Sequence, residues 1–249
     1  MDFLRQVMVG WAPFHQSFPS PTRAMTYEID RRVAVDRRRR FIYFRIPKAA
    51  NSTVAATLFP SKEREVSAHT AKRAFARASD LSRQEVAELE RRFFLFTVVR
   101  DPYARLASAY LHKVSNGVKG RRQVVENYRC ANPEKVSFVE FCRFLAQGGR
   151  DLNPHWYRQV DLIPCGFERL HYVGRVESLD EALAQIAERL DGRLEGRVRS
   201  VQVHGTNAVG KLRGLYCAET MAIIRQLYAA DFTAFDYTRE PDWAQGLVY

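Results

Sequence analysis

The sequence lacks the closely spaced cysteines that are typical of a metal site. Four cysteines are scattered over 249 residues, with no CxxC pair and no metal-ligand spacing. They are Cys130, Cys142, Cys165 and Cys217. We therefore expect no metal site, and we interpret the cysteines as small buried apolar side chains in a reducing compartment.

Long apolar runs are also absent. No stretch approaches the ~18 apolar residues that predict a membrane-spanning helix. The first residues, Met1-Asp2-Phe3-Leu4-Arg5, lack the basic region followed by an apolar core that marks a signal peptide. The sequence therefore predicts a cytoplasmic protein without a transmembrane segment.

Internal repeats and low-complexity linkers are missing too, which favours one domain. We expect an N-terminal arm over residues 1–40 and a single domain over residues 41–249. Acidic side chains are outnumbered, with 28 Asp and Glu against 39 Lys and Arg and a net charge of +11. Such an excess predicts an anionic partner: nucleic acid, a membrane surface, a phosphorylated cofactor or an acidic polymer. The densest basic run, Arg37–Arg40, precedes an apolar segment, where it is more often a solvated turn than a nucleic-acid patch.

Apolar patterning predicts buried strands that alternate with helices. The strands are predicted over residues 41–46, 93–99 and 171–176. The helices are predicted over residues 52–58, 82–92, 137–147, 178–190 and 214–229, and another begins at Asp101-Pro102. Capping boxes mark two helix starts, Ser82 with Glu85 and Ser178 with Glu181. The alternation predicts an α/β fold in which helices cover both faces of a largely parallel sheet.

The first strand-to-helix junction carries a candidate phosphate site. The strand leads into Pro47-Lys48-Ala49-Ala50-Asn51-Ser52-Thr53 and then a helix. The small residues after Lys48 let the backbone curl round an oxyanion, and the exposed N–H groups and the helix dipole favour negative charge there. Lys48 adds a positive charge, and Ser52 and Thr53 add hydroxyl donors. The segment is not a Walker A loop, because that motif needs glycines and places its lysine after the turn.

A second junction places an arginine at the carboxyl end of a strand, where open α/β sheets bind ligands. Its sequence is Val98-Val99-Arg100-Asp101-Pro102-Tyr103-Ala104-Arg105-Leu106-Ala107-Ser108-Ala109-Tyr110. Arg100 as a bidentate clamp and Ser108 as a neutral donor can together grip a second phosphate.

In this order, the two junctions resemble those of the PAPS-dependent sulfotransferase family, where PAPS is 3′-phosphoadenosine 5′-phosphosulfate. The resemblance is to its carbohydrate branch of chondroitin-type and heparan-type enzymes, in a bacterial-like soluble form. Weaker similarities extend it over about residues 41–238, in the segments 153–159, 172–177 and 231–237. The resemblance implies a P-loop-like three-layer sandwich with a central, mainly parallel sheet.

The resemblance also implies the site residues and the activity. Lys48 would stabilise the leaving bridging oxygen, and Lys48, Ala49, Ala50, Asn51, Ser52 and Thr53 would hold the 5′-phosphosulfate. Arg100 and Ser108 would hold the 3′-phosphate. PAPS would then be the co-substrate, without a metal, and a sulfuryl group would pass to a hydroxyl acceptor on a carbohydrate or an anionic glycan.

A base must accept the proton of the acceptor hydroxyl as the new S–O bond forms. The six histidines are His15, His69, His112, His155, His171 and His204. His69 lies between the first loop's helix and the second strand, where heparan-type relatives place a catalytic histidine. His155 lies in a His-Trp-x-x-Gln segment of the kind found in the chondroitin-type branch. These two are ranked equal, and Glu177 is the carboxylate alternative.

Two other functions compete with sulfuryl transfer. A P-loop-type nucleotide kinase or NTPase would depend on magnesium, yet no second-strand aspartate for magnesium is evident. A non-catalytic basic module would bind nucleic acid or an anionic glycan. No zinc-finger, RNA-recognition or helix-turn-helix signature occurs, so we expect no nucleic-acid partner.

Overall fold

The computed structural model of the chain describes residues 2–59, 67–190 and 208–246. The chain divides into two compact units, one of residues 1–99 and 159–203 and the other of residues 100–158 and 204–249. The strands are β1 (Val33–Asp36), β2 (Phe41–Phe44), β3 (Phe94–Val99) and β4 (Tyr172–Arg175). The helices are α1 (Asp2–Gly10), α2 (Pro13–Ser17), α3 (Arg23–Asp30), α4 (Asn51–Leu58), α5 (Ala68–Arg73), α6 (Arg83–Ala87), α7 (Leu89–Arg92), α8 (Pro102–Tyr110), α9 (Val118–Asn127), α10 (Phe138–Ala146), α11 (Leu179–Arg189), α12 (Ala208–Leu215), α13 (Ala218–Leu227) and α14 (Ala229–Ala234).

The first unit contains a four-stranded sheet in the order β1-β2-β3-β4. β2 pairs in parallel with β3, and β3 pairs in parallel with β4. β1 pairs antiparallel with β2, with Val33 opposite Phe44. The predicted α/β fold with a mainly parallel sheet flanked by helices is therefore confirmed.

Side chains on both faces of the sheet are buried, as expected where helices cover a parallel sheet on each side. Phe41 and Tyr43 in β2 are fully buried on one face, where they pack in a cluster with Val54 of α4 and Ile186 of α11. Ile42, which points to the opposite face, is also fully buried. β2 and β3 therefore read as nearly continuous apolar runs, which is why the sequence reveals them.

Residues 1–40 supply the strand β1 and the helices α1, α2 and α3, none of which the sequence reasoning predicted. β1 is joined to β2 by a turn over Arg37–Arg40, so the basic run is a turn, as interpreted. Within that turn the Arg37 guanidinium lies 2.7 Å from the Glu85 carboxylate. This hydrogen bond holds the pKa of Glu85 at about 2.

Helix starts and breaks agree only in part with the predictions. The capping box of Ser82 with Glu85 is present at the start of α6. The box predicted at Ser178 is wrong, because Ser178 has φ −129° and ψ 53° and makes no side-chain cap hydrogen bond to α11. The helix predicted over 214–229 is instead divided among α12, α13 and α14. The first break lies at Cys217, which is extended and whose N–H donates to Thr220 Oγ1 at 2.9 Å, and the second lies at Tyr228, which has φ −110° and ψ 21°.

The second unit is built round an aromatic core. Trp156 is fully buried against Phe141 and Phe144 of α10. Its indole Nε1–H donates to the Gly149 carbonyl at 2.8 Å, and its own carbonyl accepts from the Tyr228 hydroxyl at 2.5 Å. The chain segment on either side of Trp156 is therefore held in place by both polar and apolar contacts.

Each unit also contains one buried free thiol. Cys142 on α10 belongs to the second unit, and Cys165 belongs to the first. Burial raises the pKa of the Cys142 thiol well above its usual value and that of Cys165 to about 12.

Among residues 2–59, 67–190 and 208–246, no helix has the length and apolar character needed to cross a bilayer.

Candidate functional site

The loop between β2 and α4 has an unusual backbone. Lys48 has φ 69° and Ala50 has φ 50°, so two residues with side chains adopt the left-handed conformation within three positions. Each such residue costs about 1–2 kcal/mol relative to the right-handed conformation. Conformations of this kind cluster where a ligand is bound, which marks the loop as a candidate site.

The loop ends at the N-terminus of α4. Ala50 is the N-cap and has no side-chain oxygen with which to cap the helix. The N–H groups of Asn51, Ser52 and Thr53 have no partner inside the helix, because the first turn lacks preceding carbonyls. With the positive end of the helix dipole, these amides form a site suited to an anion.

The predicted loop residues differ in what their side chains can offer. Lys48 and Ser52 are half-buried and carry an ammonium and a hydroxyl, which are both hydrogen-bond donors. Ala49 is fully buried and Thr53 is 5% exposed, which leaves mainly their backbone to contact a ligand. The Asn51 side-chain amide donates to the Ile46 carbonyl at 3.4 Å and braces the loop.

A lysine that the sequence reasoning missed contacts the same loop. Lys72 on α5 places its Nζ 2.6 Å from Ser52 Oγ. The helix α5 packs on α4 through Ala71, which lies in a buried cluster with Ala55 and Ala56. Nothing in the sequence pairs position 72 with position 52, because the contact depends on how the two helices pack.

Arg45 is a second basic residue beside the loop. It is 7% exposed and donates from Nε to the Arg32 carbonyl at 3.3 Å and from Nη2 to the Arg31 carbonyl. Burial lowers the pKa of Arg45 to about 10, so it is charged at neutral pH. Arg45 therefore joins the loop to the connection between α3 and β1.

His69, one of the two predicted bases, lies in the first turn of α5. Its side chain is exposed. The helix is capped by Ser67, whose Oγ accepts from the Thr70 N–H at 3.1 Å. His69 thus lies on the helix that also carries Lys72.

The second unit carries Arg100 and Ser108. Arg100 directly follows β3, and Ser108 lies half-buried on α8. The predicted N-cap of this helix is confirmed, because Asp101 Oδ1 accepts from the Ala104 N–H at 2.8 Å and Pro102 is the first helical residue.

Arg105 on α8 is 1% exposed and donates to the Tyr157 carbonyl at 2.8 Å. This hydrogen bond connects the chain near His155 to α8.

His155, the other predicted base, is oriented by a neighbouring amide. Its Nδ1 lies 2.9 Å from Asn153 Oδ1, which also accepts the His155 backbone N–H at 3.1 Å. The Asn153 amide nitrogen in turn donates to Gln123 Oε1 at 2.9 Å. Because an amide oxygen only accepts, Nδ1 carries the proton, and Nε2 is the basic nitrogen of the neutral ring.

The other candidate bases have different surroundings. His15 is buried with its Nε2 3.1 Å from Asp30 Oδ1, and His171 accepts the Leu95 backbone N–H at its Nδ1 at 3.0 Å. Glu177 is exposed in the turn after β4, and His204 lies outside the described residues. Within the described ranges, no group of three or more His, Cys, Asp or Glu side chains could hold a metal ion.

Comparison with known proteins gives one family. The model of the sulfotransferase family matches residues 31–238. Carbohydrate sulfotransferase 14 of Danio rerio is 28% identical over 229 residues, which cover 82% of this chain and 62% of that protein. Its counterpart in Homo sapiens is 28% identical over 231 residues, which cover 83% of this chain and 60% of that protein. The counterpart in Mus musculus is 31% identical over 178 residues, which cover 64% of this chain and 46% of that protein.

The chain therefore spans less than two thirds of the length of these relatives. No solved structure matches it significantly.

Proposed function

Because the chain belongs to the sulfotransferase family, we propose that it transfers a sulfuryl group from PAPS to a hydroxyl group of a carbohydrate. The observation that carries the proposal is the loop between β2 and α4. Left-handed residues at 48 and 50 turn the uncapped N-terminus of α4 into a preformed anion site with a lysine beside it.

The 5′-phosphosulfate of PAPS would bind at this loop. The N–H groups of the first turn of α4 and the Ser52 hydroxyl would donate to the phosphate oxygens. Lys48 would lie at the oxygen that bridges phosphorus and sulfur. The donor set contains only cationic and neutral hydrogen-bond donors, which suits an anion of this kind.

Arg100 and Ser108 would hold the 3′-phosphate, and this pair distinguishes PAPS from ATP, which has no phosphate at that position. Arg100 supplies a planar guanidinium that can form two parallel hydrogen bonds to a phosphate. Ser108 supplies a neutral hydroxyl donor. The assignment rests on the resemblance of this segment to the family's pattern.

In the transfer, the acceptor oxygen forms a bond to sulfur as the bond from sulfur to the bridging oxygen breaks. Lys48 stabilises the negative charge that develops on the leaving oxygen. His155 Nε2 accepts the acceptor's proton, since the Asn153 contact keeps the proton of the neutral ring on Nδ1. His69 is the alternative base. Activity would require no metal.

The acceptor is proposed to be a carbohydrate because the relatives are named carbohydrate sulfotransferases. The net charge of +11 suits an anionic glycan in particular. A cytoplasmic location and the lack of a nucleic-acid partner stay predictions from the sequence.

The proposal is tested by binding of PAPS and of its analogue that lacks the 3′-phosphate. The wild type should prefer PAPS, and Arg100→Ala should lose that preference, by roughly ten- to hundredfold for a charge-assisted contact. Arg122→Ala is the matched control, because Arg122 is exposed on α9 and pairs with Glu126. Equal binding of both nucleotides by the wild type would contradict the role of Arg100.

Transfer itself is measured with radiolabelled PAPS and an unsulfated glycan, with Lys48→Ala as the second variant. This variant should lose transfer while its midpoint of thermal unfolding stays nearly unchanged. Unfolding of the variant would make Lys48 structural instead. Activity with ATP that is lost on adding EDTA would support a kinase.

A further inference from the structure

Lys72 and Ser52 form a contact that the proposed donor site does not yet use. The Lys72 Nζ lies 2.6 Å from Ser52 Oγ, which is within normal hydrogen-bond distance. Ser52 lies in the first turn of α4, at the proposed phosphate site, whereas Lys72 lies in the last turn of α5. The buried alanine cluster between the two helices, Ala55 and Ala56 with Ala71, holds this geometry.

The direction of this hydrogen bond is fixed by chemistry. A lysine ammonium has three N–H donors and no acceptor, so Ser52 Oγ must accept. The hydroxyl proton of Ser52 is then directed away from Lys72 and is available to another acceptor. Lys72 therefore determines which way the Ser52 hydroxyl points.

Two threonine hydroxyls elsewhere in the chain show the alternative arrangement, in which the hydroxyl donates its proton to the protein's own backbone. Thr57 Oγ1 donates to the Thr53 carbonyl at 3.0 Å, and Thr26 Oγ1 donates to the Thr22 carbonyl at 3.0 Å. Such bonds to the carbonyl four residues earlier are the usual local option for serine and threonine in helices. A hydroxyl that donates to the backbone in this way cannot give the same proton to a ligand.

We propose that Lys72 is a positioning residue for the donor: it orients the Ser52 hydroxyl as a hydrogen-bond donor to the 5′-phosphate. The inference rests on the proposed sulfotransferase function. Lys72 thereby acts through Ser52, and its effect is confined to nucleotides that carry a 5′-phosphate.

A double-mutant cycle tests this role with two nucleotides as probes. Adenosine 3′,5′-bisphosphate carries the 5′-phosphate, and adenosine 3′-phosphate lacks it. Lys72→Met, which keeps an aliphatic side chain, and Ser52→Ala should each weaken binding of the bisphosphate by roughly tenfold. The double variant should bind no more weakly than Ser52→Ala alone, because the two residues act as one unit. Binding of adenosine 3′-phosphate should not change.

Two further variants serve as controls. Arg73→Met removes the same charge from the next, exposed position of α5 and should leave binding of the bisphosphate unchanged. Lys72→Arg keeps donors at position 72 and should recover part of the affinity. Urea unfolding of each variant shows whether the fold is intact.

The outcomes separate this inference from the proposed function. Additive losses of affinity in the double variant would mean that Lys72 contacts the nucleotide directly. Unchanged binding in Lys72→Met would mean that Lys72 has no role in binding. Either result overturns the inference and leaves the proposed donor site standing. A wild type that shows no preference for the bisphosphate would overturn the proposed function, and this inference with it.

Discussion

Two residues of the loop between β2 and α4, Lys48 and Ala50, have a conformation that glycine adopts more readily. The left-handed region is open to glycine at no steric cost, and nucleotide-binding loops often use glycine for that reason. Here an alanine and a lysine hold those positions instead. The surrounding structure, including the Asn51 bond to the Ile46 carbonyl, stabilises the conformation.

Substitutions at Ala50 should reveal the cost of this conformation. Ala50→Gly is expected to raise the free energy of unfolding by about 0.5–1 kcal/mol, because relief of the left-handed strain exceeds the entropy cost of glycine. The same change at Ala55, inside α4, should lower it by at least about 1 kcal/mol. Urea unfolding measures both. A loss of stability in Ala50→Gly would show that the loop carries no such strain.

The composition of the loop predicted an anion site, whereas its geometry could not be predicted. Residue types alone showed a lysine and small residues before the helix and two hydroxyl groups at its start. The left-handed backbone was not predictable, because alanine and lysine rarely adopt it. Lys72 was missed because helix packing, and no local pattern, brings it to Ser52.

At the scale of elements, strands with continuous apolar runs were the easiest to predict. β2, β3 and β4 each fall within one or two residues of the prediction. β1 was missed because Val33–Asp36 is short and adjoins charged residues, so its burial depends on the partner strand. The capping box at Ser178 failed because the chain enters α11 through a 3₁₀ turn over Val176–Ser178.

β4 approaches α11 so closely that position 174 admits only glycine without adjustment. A Cβ at Gly174 would lie 2.8 Å from the Ala182 Cβ. Gly174→Ala is therefore expected to lower the free energy of unfolding by about 1–3 kcal/mol through overpacking. Gly214→Ala in α12 is the control, because in the described part of the chain a Cβ there would meet no atom within 4 Å apart from its chain neighbours and the helix's own backbone. This change should leave the free energy of unfolding unchanged or raise it by up to about 1 kcal/mol. Equal effects at both positions would contradict the close packing of β4 on α11.

At the scale of the whole molecule, residues 1–40 are structurally joined to the sheet. β1 occupies the edge of β2, and the carbonyls of Arg31 and Arg32 accept hydrogen bonds from the buried Arg45. Removing these residues would expose the hydrogen-bonding edge of β2. An open apolar edge strand pairs readily with other chains.

A chain that begins at Phe41 is accordingly expected to aggregate, whereas a chain that begins at Trp11 retains α2, α3 and β1 and should not aggregate. Size-exclusion chromatography of the two truncated chains beside the full one gives the comparison. A folded monomer from residues 41–249 would show that β1 is dispensable.

The buried thiols give the molecule a built-in reporter of its own fluctuations. Cys165 in the first unit and Cys142 in the second are both buried with raised pKa values, so neither presents a reactive thiolate in the native state. The half-buried Cys130 and Cys217 would react first with a thiol reagent. Each buried thiol would react later, at the rate at which its own unit opens. Different rates for Cys165 and Cys142 would mean that the two units open independently, and equal rates would mean that the chain unfolds in one step.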